Sequence, residues 1–138
     1  MTAEVFLDSN ILLYACSASP ADMEKQAIAT RLILETDFAL SAQVLQEFTC
    51  NALRKKVLGI SEHQIDATME LSGHVPVVSI TRELVLSAII LRRRHQLSHW
   101  DASIVTAAQE LGCNTLYSED LNHAQVFDGV NVINPFLG

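Results

Sequence analysis

Five short apolar runs, Val5–Leu7, Phe38–Leu40, Pro76–Val78, Asn114–Tyr117 and Val130–Ile133, alternate with segments of helical periodicity along the whole chain. That alternation constrains the fold more than any other feature. Parallel neighbours in a sheet need crossover connections of helix length, and the helices that supply them cover both faces of the sheet. Such crossovers are right-handed. The expected fold class is therefore α/β, a three-layer α/β/α arrangement around a mostly parallel sheet of four to five strands.

The helices carry their own punctuation. Ser19-Pro20-Ala21-Asp22 combines a capping serine, a proline at the first helical position and an acid in the first turn. The helix it opens is expected to reach about Glu35, with Ile28, Leu32 and Leu34 turned toward the core. Ser41 caps the next helix, whose apolar stripe is Leu45, Phe48, Ala52 and Leu53, with Glu47 off that stripe. Ser61 and Gln64 form a capping box for a helix closed by Gly73 and Pro76. From Thr81 to about His95 apolar residues fall on nearly every side, which predicts a helix covered by its neighbours. Ser98 starts a last helix, stopped by Gly112.

A chain of 138 residues is the size of one domain, and no linker, repeat or low-complexity tract divides residues 1–138. No uncharged apolar stretch approaches a membrane span, and the start MTAEVFLDSN lacks the basic region and long apolar run of a signal peptide, so a cytoplasmic protein without membrane contact is expected. Cys16, Cys50 and Cys113 are odd in number and widely spaced, which favours small buried thiols over disulfides or a zinc site. The net charge of −7 argues against a broad basic face for nucleic acid. Positive charge is nonetheless concentrated at Arg54, Lys55, Lys56 and at Arg92, Arg93, Arg94. Each run reads either as a solvated helix end or as a local grip on a polyanion, and the arginine run is the candidate nucleic-acid contact.

Asp8, Glu47, Asp101 and Asp120 each fall just past an apolar run or in the opening turns of a helical segment. In open parallel sheets ligands bind beyond the carboxyl ends of the strands. Asp8 and Asp120 leave strands at that rim, and the helices bearing Glu47 and Asp101 begin there. Stepping back along the stripe Leu111, Ala108, Val105, Ile104 lands on Asp101, so its charge is expected to point inward. Each acid also has a plain structural reading. Asp8 can cap a helix, Asp101 can complete a capping box with Ser98, Glu47 can be solvated, and Glu119 and Asp120 can be turn acids. The convergence of four segments on one rim favours chemistry. Like charges raise one another's pKa unless a cation intervenes, and hard divalent ions such as Mg²⁺ or Mn²⁺ suit an all-oxygen site. Asn10 and Ser118, two residues from Asp8 and Asp120, are placed to support those carboxylates.

The histidines add little: His95 and His99 are separated by a helix start at Ser98, and His123 near Asp120 reads best as a surface residue. A haloacid-dehalogenase phosphatase needs D-x-D, where this chain has Asn10 in the second position. A phosphoacceptor receiver domain needs a lysine after a late strand, and none follows Tyr117. A catalytically idle binding module on the same fold is the remaining alternative.

Taken together, VFLDSNILLY, the helix acid in VLQEF, WDASIVTAAQELGC, LYSEDLNH and VINPF resemble a PIN-domain ribonuclease of the VapC toxin type, in motif order and over essentially the whole chain. The resemblance implies a Mg²⁺- or Mn²⁺-dependent endoribonuclease, usually a homodimer, silenced by a VapB-type antitoxin. It implies Asp8, Glu47, Asp101 and Asp120 as the acidic quartet, with Asp8, Asp101 and Asp120 holding metal and Asn10 and Ser118 supporting them. Glu119, beside Asp120, competes for the fourth place.

Overall fold

A computed structural model describes residues 3–137. Its elements follow the chain as β1 (Val5–Leu7), α1 (Ser9–Cys16), a 3₁₀ turn (Pro20–Asp22), α2 (Met23–Glu35), β2 (Phe38–Ser41), α3 (Ala42–Arg54), a second 3₁₀ turn (Lys56–Leu58), α4 (Glu62–Ser72), β3 (Val77–Val78), α5 (Arg82–His95), α6 (His99–Glu110), β4 (Thr115–Tyr117), β5 (Val126–Phe127) and β6 (Val130–Ile133). The sheet has six strands in the order β3-β2-β1-β4-β6-β5. All neighbours are parallel except β5 and β6.

The sixth strand exceeds the sequence expectation. β5 is only two residues long, too short to show alternation, and pairs with β6 through the two-residue turn Asp128-Gly129. Both turn residues have positive φ, 48° and 94°. That is the twist a tight hairpin requires, and the Asp-Gly dipeptide is its sequence signal.

Strand order fixes the layers. From β1 the chain moves outward through β2 to β3, then returns past them to β4 on the other side of β1. Right-handed crossovers in opposite directions put α1 to α4 on one face and α5 with α6 on the other. The reversal falls between β1 and β4, whose register pairs Leu7 with Tyr117. Their carboxyl ends therefore flank the crevice in which open sheets bind ligands.

The caps at Ser41, Ser61, Thr81 and Ser98 all form, each side chain accepting a backbone N–H of the first turn. Ser61 and Gln64 complete a reciprocal capping box. Ser19 instead precedes the 3₁₀ turn and makes no side-chain cap.

Several burial expectations are corrected, among them Leu53, which lies off the buried face of α3 and is exposed. On α2 the core positions are Ala29, Leu32 and Ile33, while Leu34 is 78 % exposed, because the stripe passes one residue to its side. The helix enclosed on all sides is α6, where every residue from Ala102 to Ala108 is buried. It packs on β2, β4 and β6 beneath α5, helped by the small side chains of Ala102, Ser103, Ala107 and Ala108. The outer helix α5 buries Leu84, Ala88 and Leu91 and leaves Leu86 and Ile90 exposed. Of the three free cysteines, Cys113 is buried, Cys16 half-buried and Cys50 exposed.

Phe6, Phe48 and Phe127 are among the largest fully buried side chains. Replacing Phe48 by Ala is expected to cost about 3–5 kcal/mol in urea unfolding. Leu34→Ala is expected to stay within about 0.5 kcal/mol. Equal losses from the two would contradict the assigned face of α2.

Candidate active site

Asp8 leaves β1 and caps α1, its Oδ1 accepting the Ser9 N–H at 2.7 Å. Its Oδ2 accepts the Ser118 hydroxyl proton at 2.7 Å, a buried contact across the β1–β4 boundary. The same Ser118 Oγ accepts the Asp120 N–H at 3.1 Å. Asn10 works in the opposite direction, donating from Nδ2 to Asp120 Oδ2 at 3.2 Å and accepting the Glu119 N–H at 3.3 Å. The support is thus crossed, with the serine of one strand end on the aspartate of the other and the asparagine likewise.

Glu47 sits half-buried on α3, one turn beyond Gln43, whose Nε2 donates to Glu47 Oε1 at 3.2 Å. The same nitrogen donates to the Trp100 carbonyl at 3.1 Å, tying the Glu47 helix to the start of α6. Asp101 occupies the first turn of α6, where its N–H donates to Ser98 Oγ at 3.1 Å. Ser98 thus accepts from the Asp101 backbone, and its hydroxyl also stands close enough to the Asp101 carboxylate to favour the charged form.

The electrostatics tie the four acids together. Burial pushes the Asp8 carboxyl up to about 7, against the Ser118 and Ser9 hydrogen bonds, and the charges of Glu47 and Asp120 push it further. Glu47 is raised by burial and by Asp120 and Asp101, with the Gln43 bond opposing. Asp101 is raised by burial and by Asp120, against the Ser98 bond. Elements far apart in sequence have therefore gathered acids close enough to feel one another.

Glu119 is separated from this group by its partners. Tyr14 donates its hydroxyl proton to Oε1 at 2.6 Å, and Lys25 donates to Oε2 at 2.5 Å and to the Tyr14 oxygen at 3.2 Å. The Lys25 ammonium also lies 4.7 Å from the Tyr14 ring centroid. Glu119 is neutralised locally, whereas Asp120 carries the coupling to the other acids. Sequence reasoning missed Lys25, for which no signal exists, and Gln43, whose i, i+4 spacing to Glu47 was a usable one.

A cleft of about 420 Å³ opens at this rim, lined by Glu47, Asp120, Glu119, Asn10, Asn51 and Lys55 among others. The arginine run is elsewhere. Arg94 pairs with Asp128 at 2.7 Å in the β5–β6 turn, at the opposite end of the sheet from Asp8. His123 accepts the Asn134 N–H at 3.0 Å and so braces the final loop. Among the described residues no three His, Cys, Asp or Glu side chains already stand at the mutual distances of a closed metal shell.

The chain belongs to the PIN domain family, which it matches over residues 5–128. Among curated proteins no sequence matches significantly. Solved structures that share the fold include the following three. A toxin–antitoxin complex from Klebsiella pneumoniae is 19 % identical, with 96 % of this chain and 98 % of that one covered at a TM-score of 0.67. The sarcin-ricin loop cleaving toxin VapC20 of Mycobacterium tuberculosis is 22 % identical, with 84 % and 89 % covered at 0.67. A DNA-bound VapBC complex of Salmonella typhimurium is 15 % identical, with 94 % and 96 % covered at 0.66.

The raised Asp8 pKa has a definite sign for stability. The folded protein keeps this proton up to about pH 7, whereas the unfolded chain releases it near 3.9, roughly the free aspartate value. Between those limits the folded state binds more protons, so stability falls as pH rises, by up to about 1.4 kcal/mol per pH unit from this one group. The contribution is fully present below about pH 4 and is lost once pH passes 7. In metal-free buffer, Asp8→Asn is expected to gain stability over the wild type progressively from pH 4 to pH 7 in urea titrations. A constant difference across that range would refute the raised pKa.

Proposed function

We propose that this protein is a metal-dependent endoribonuclease that hydrolyses RNA phosphodiester bonds in the cytoplasm, as the toxin of a VapBC-type toxin–antitoxin pair. The observation that carries the reading is the crossed support of Asp8 by Ser118 and of Asp120 by Asn10 at the β1–β4 switch point, with Glu47 on the wall of the same cleft. Membership of the PIN family and likeness to toxins of that type support it.

The donor set fits a hard divalent cation. It is all carboxylate, and the repulsion and burial that raise these groups are what a bound cation offsets. Asp8 Oδ1 and Oδ2 each accept one hydrogen bond, which leaves each oxygen a second lone pair for a cation. Asp8, Asp101 and Asp120 are the residues assigned to hold Mg²⁺ or Mn²⁺, with Ser118 and Asn10 fixing the orientation of the first and last. When bound, the ion polarises the phosphoryl oxygen and acidifies water.

The chain's own groups do the rest. Glu47, held at Oε1 by Gln43, orients the attacking water and accepts its proton, a role that its raised pKa favours. Lys55 at the cleft edge offers a cation to the RNA backbone, and Lys25 keeps Glu119 from adding another free negative charge. Arg92, Arg93 and Arg94, away from the cleft, are assigned at most to distant segments of a long RNA. The VapB-type antitoxin is proposed on the same likeness, since toxin–antitoxin complexes are among the structures that share the fold, and the homodimer on the family resemblance of the sequence.

Purified protein should cleave RNA with Mg²⁺ or Mn²⁺ and stop with chelator, and Asp8→Asn and Asp101→Asn should each lower the rate by at least about 100-fold. Equal cleavage by all three proteins would place the activity elsewhere. Toxicity is read separately: induction without the antitoxin should arrest growth, and normal growth alongside soluble, active enzyme would remove the toxin role.

A further inference from the structure

Beside the acid cleft lies a second groove, of about 380 Å³, that the proposed chemistry does not use. Trp100, Gln46, Cys50 and Arg54 line it, and Glu47 and Asn51 line both it and the acid cleft. The two spaces therefore adjoin at Glu47 and Asn51. Trp100 is the only tryptophan of the chain and is 67 % exposed, an unusual state for so large an apolar side chain.

This exposure is held in place. The Trp100 carbonyl is fixed by Gln43, the residue that also holds Glu47. The His99 ring stands against the indole at 5.4 Å and 70°. Arg54 is steadied by a 2.7 Å bond from its Nη2 to Asn51 Oδ1. An exposed aromatic face, side-chain amides able to donate and accept, and a guanidinium together suit a base with its neighbouring phosphate.

Resting on the ribonuclease reading, we propose that the groove is a subsite for one unstacked nucleobase flanking the scissile phosphate, stacked on Trp100, with Arg54 on the adjoining phosphate. A single strand crossing the acids has to continue along one side or the other, and the shared Glu47–Asn51 wall makes this groove its covered route. Specificity of cleavage then depends on Gln43, Gln46 and Asn51 as well as on the acids.

The test uses the full chain and the hexanucleotides rA₆, rC₆, rG₆ and rU₆ with Mg²⁺. In uncut complexes with Asp8→Asn, at least one of them should quench Trp100 fluorescence saturably. In the otherwise wild-type protein, Trp100→Ala should raise KM for RNA roughly 5- to 100-fold, the range of one stacked base, and raise it by more than it lowers kcat. Trp100→Phe should recover most of that loss, and circular dichroism should show both variants folded. Wild-type cleavage with an unchanged KM in Trp100→Ala and no quenching would overturn the subsite while leaving the nuclease standing. A Trp100→Ala protein that cuts normally but loses affinity for an antitoxin would assign the groove to a protein partner and also overturn it. A wild-type protein that cuts no RNA with either metal would overturn both readings at once.

Discussion

The structure turns on one buried hydrogen bond, from Ser118 Oγ to Asp8 Oδ2, that joins residues 110 positions apart in sequence. A carboxylate taken out of water is costly unless its oxygens are satisfied. Here satisfaction comes from the partner strand. The parallel register that sets Leu7 against Tyr117 delivers Ser118 to Asp8, and the Asp8 N–H closes the strand end on the Tyr117 carbonyl at 3.0 Å. The proposed site at the rim is arranged around this pair. Asn10 and Asp120 each follow two residues later, and their bond repeats the crossing in the other direction.

The gathered acids are at odds with the stability of the metal-free fold. Burial and mutual repulsion raise Asp8, Glu47 and Asp101 together, so the apoprotein carries groups that resist ionisation at the pH where they would be used. Such conflicts between local comfort and arrangement are typical of functional sites. The fold contains them by placing each acid on a rigid support: a strand end, a capped helix start, and a helix tied to its neighbour through Gln43. Glu119 shows the contrast, because the same kind of side chain one residue from Asp120 is matched by Lys25 and Tyr14.

Charge distribution follows the same logic. A net charge of −7 leaves no general attraction for a polyanion. Under the proposed function, contact with RNA is therefore local, and the cationic groups near the acids that pair with none of them are Lys55 and Arg54, at the end of α3. The more conspicuous arginine run forms the last turn of α5, and Arg94 is spent on Asp128.

Much of this was written into the chain. The alternation of short apolar runs with capped helices determined the parallel α/β class, because strand and helix periodicities and caps are local properties. Asp8, Asn10, Asp101, Ser118 and Asp120 stand at or near the ends of elements the local pattern defines, whereas Glu47 lies within α3, where no local signal separates it from a solvated glutamate. Tertiary structure decided what depends on neighbours distant in sequence. It chose Ile33 over Leu34 as the buried side of α2, and enclosed α6 while leaving Leu86 and Ile90 of α5 exposed. Adjacent apolar residues on a helix differ in fate only through what packs against them. It added the two-residue strand β5, which exists only by pairing with β6. It separated Asp120 from Glu119 by supplying a lysine from α2, and it set Trp100 beside Glu47. Local sequence can specify an element and its ends, but which side chains meet across the sheet is set by strand order and register, and these exist only once the chain has closed on itself.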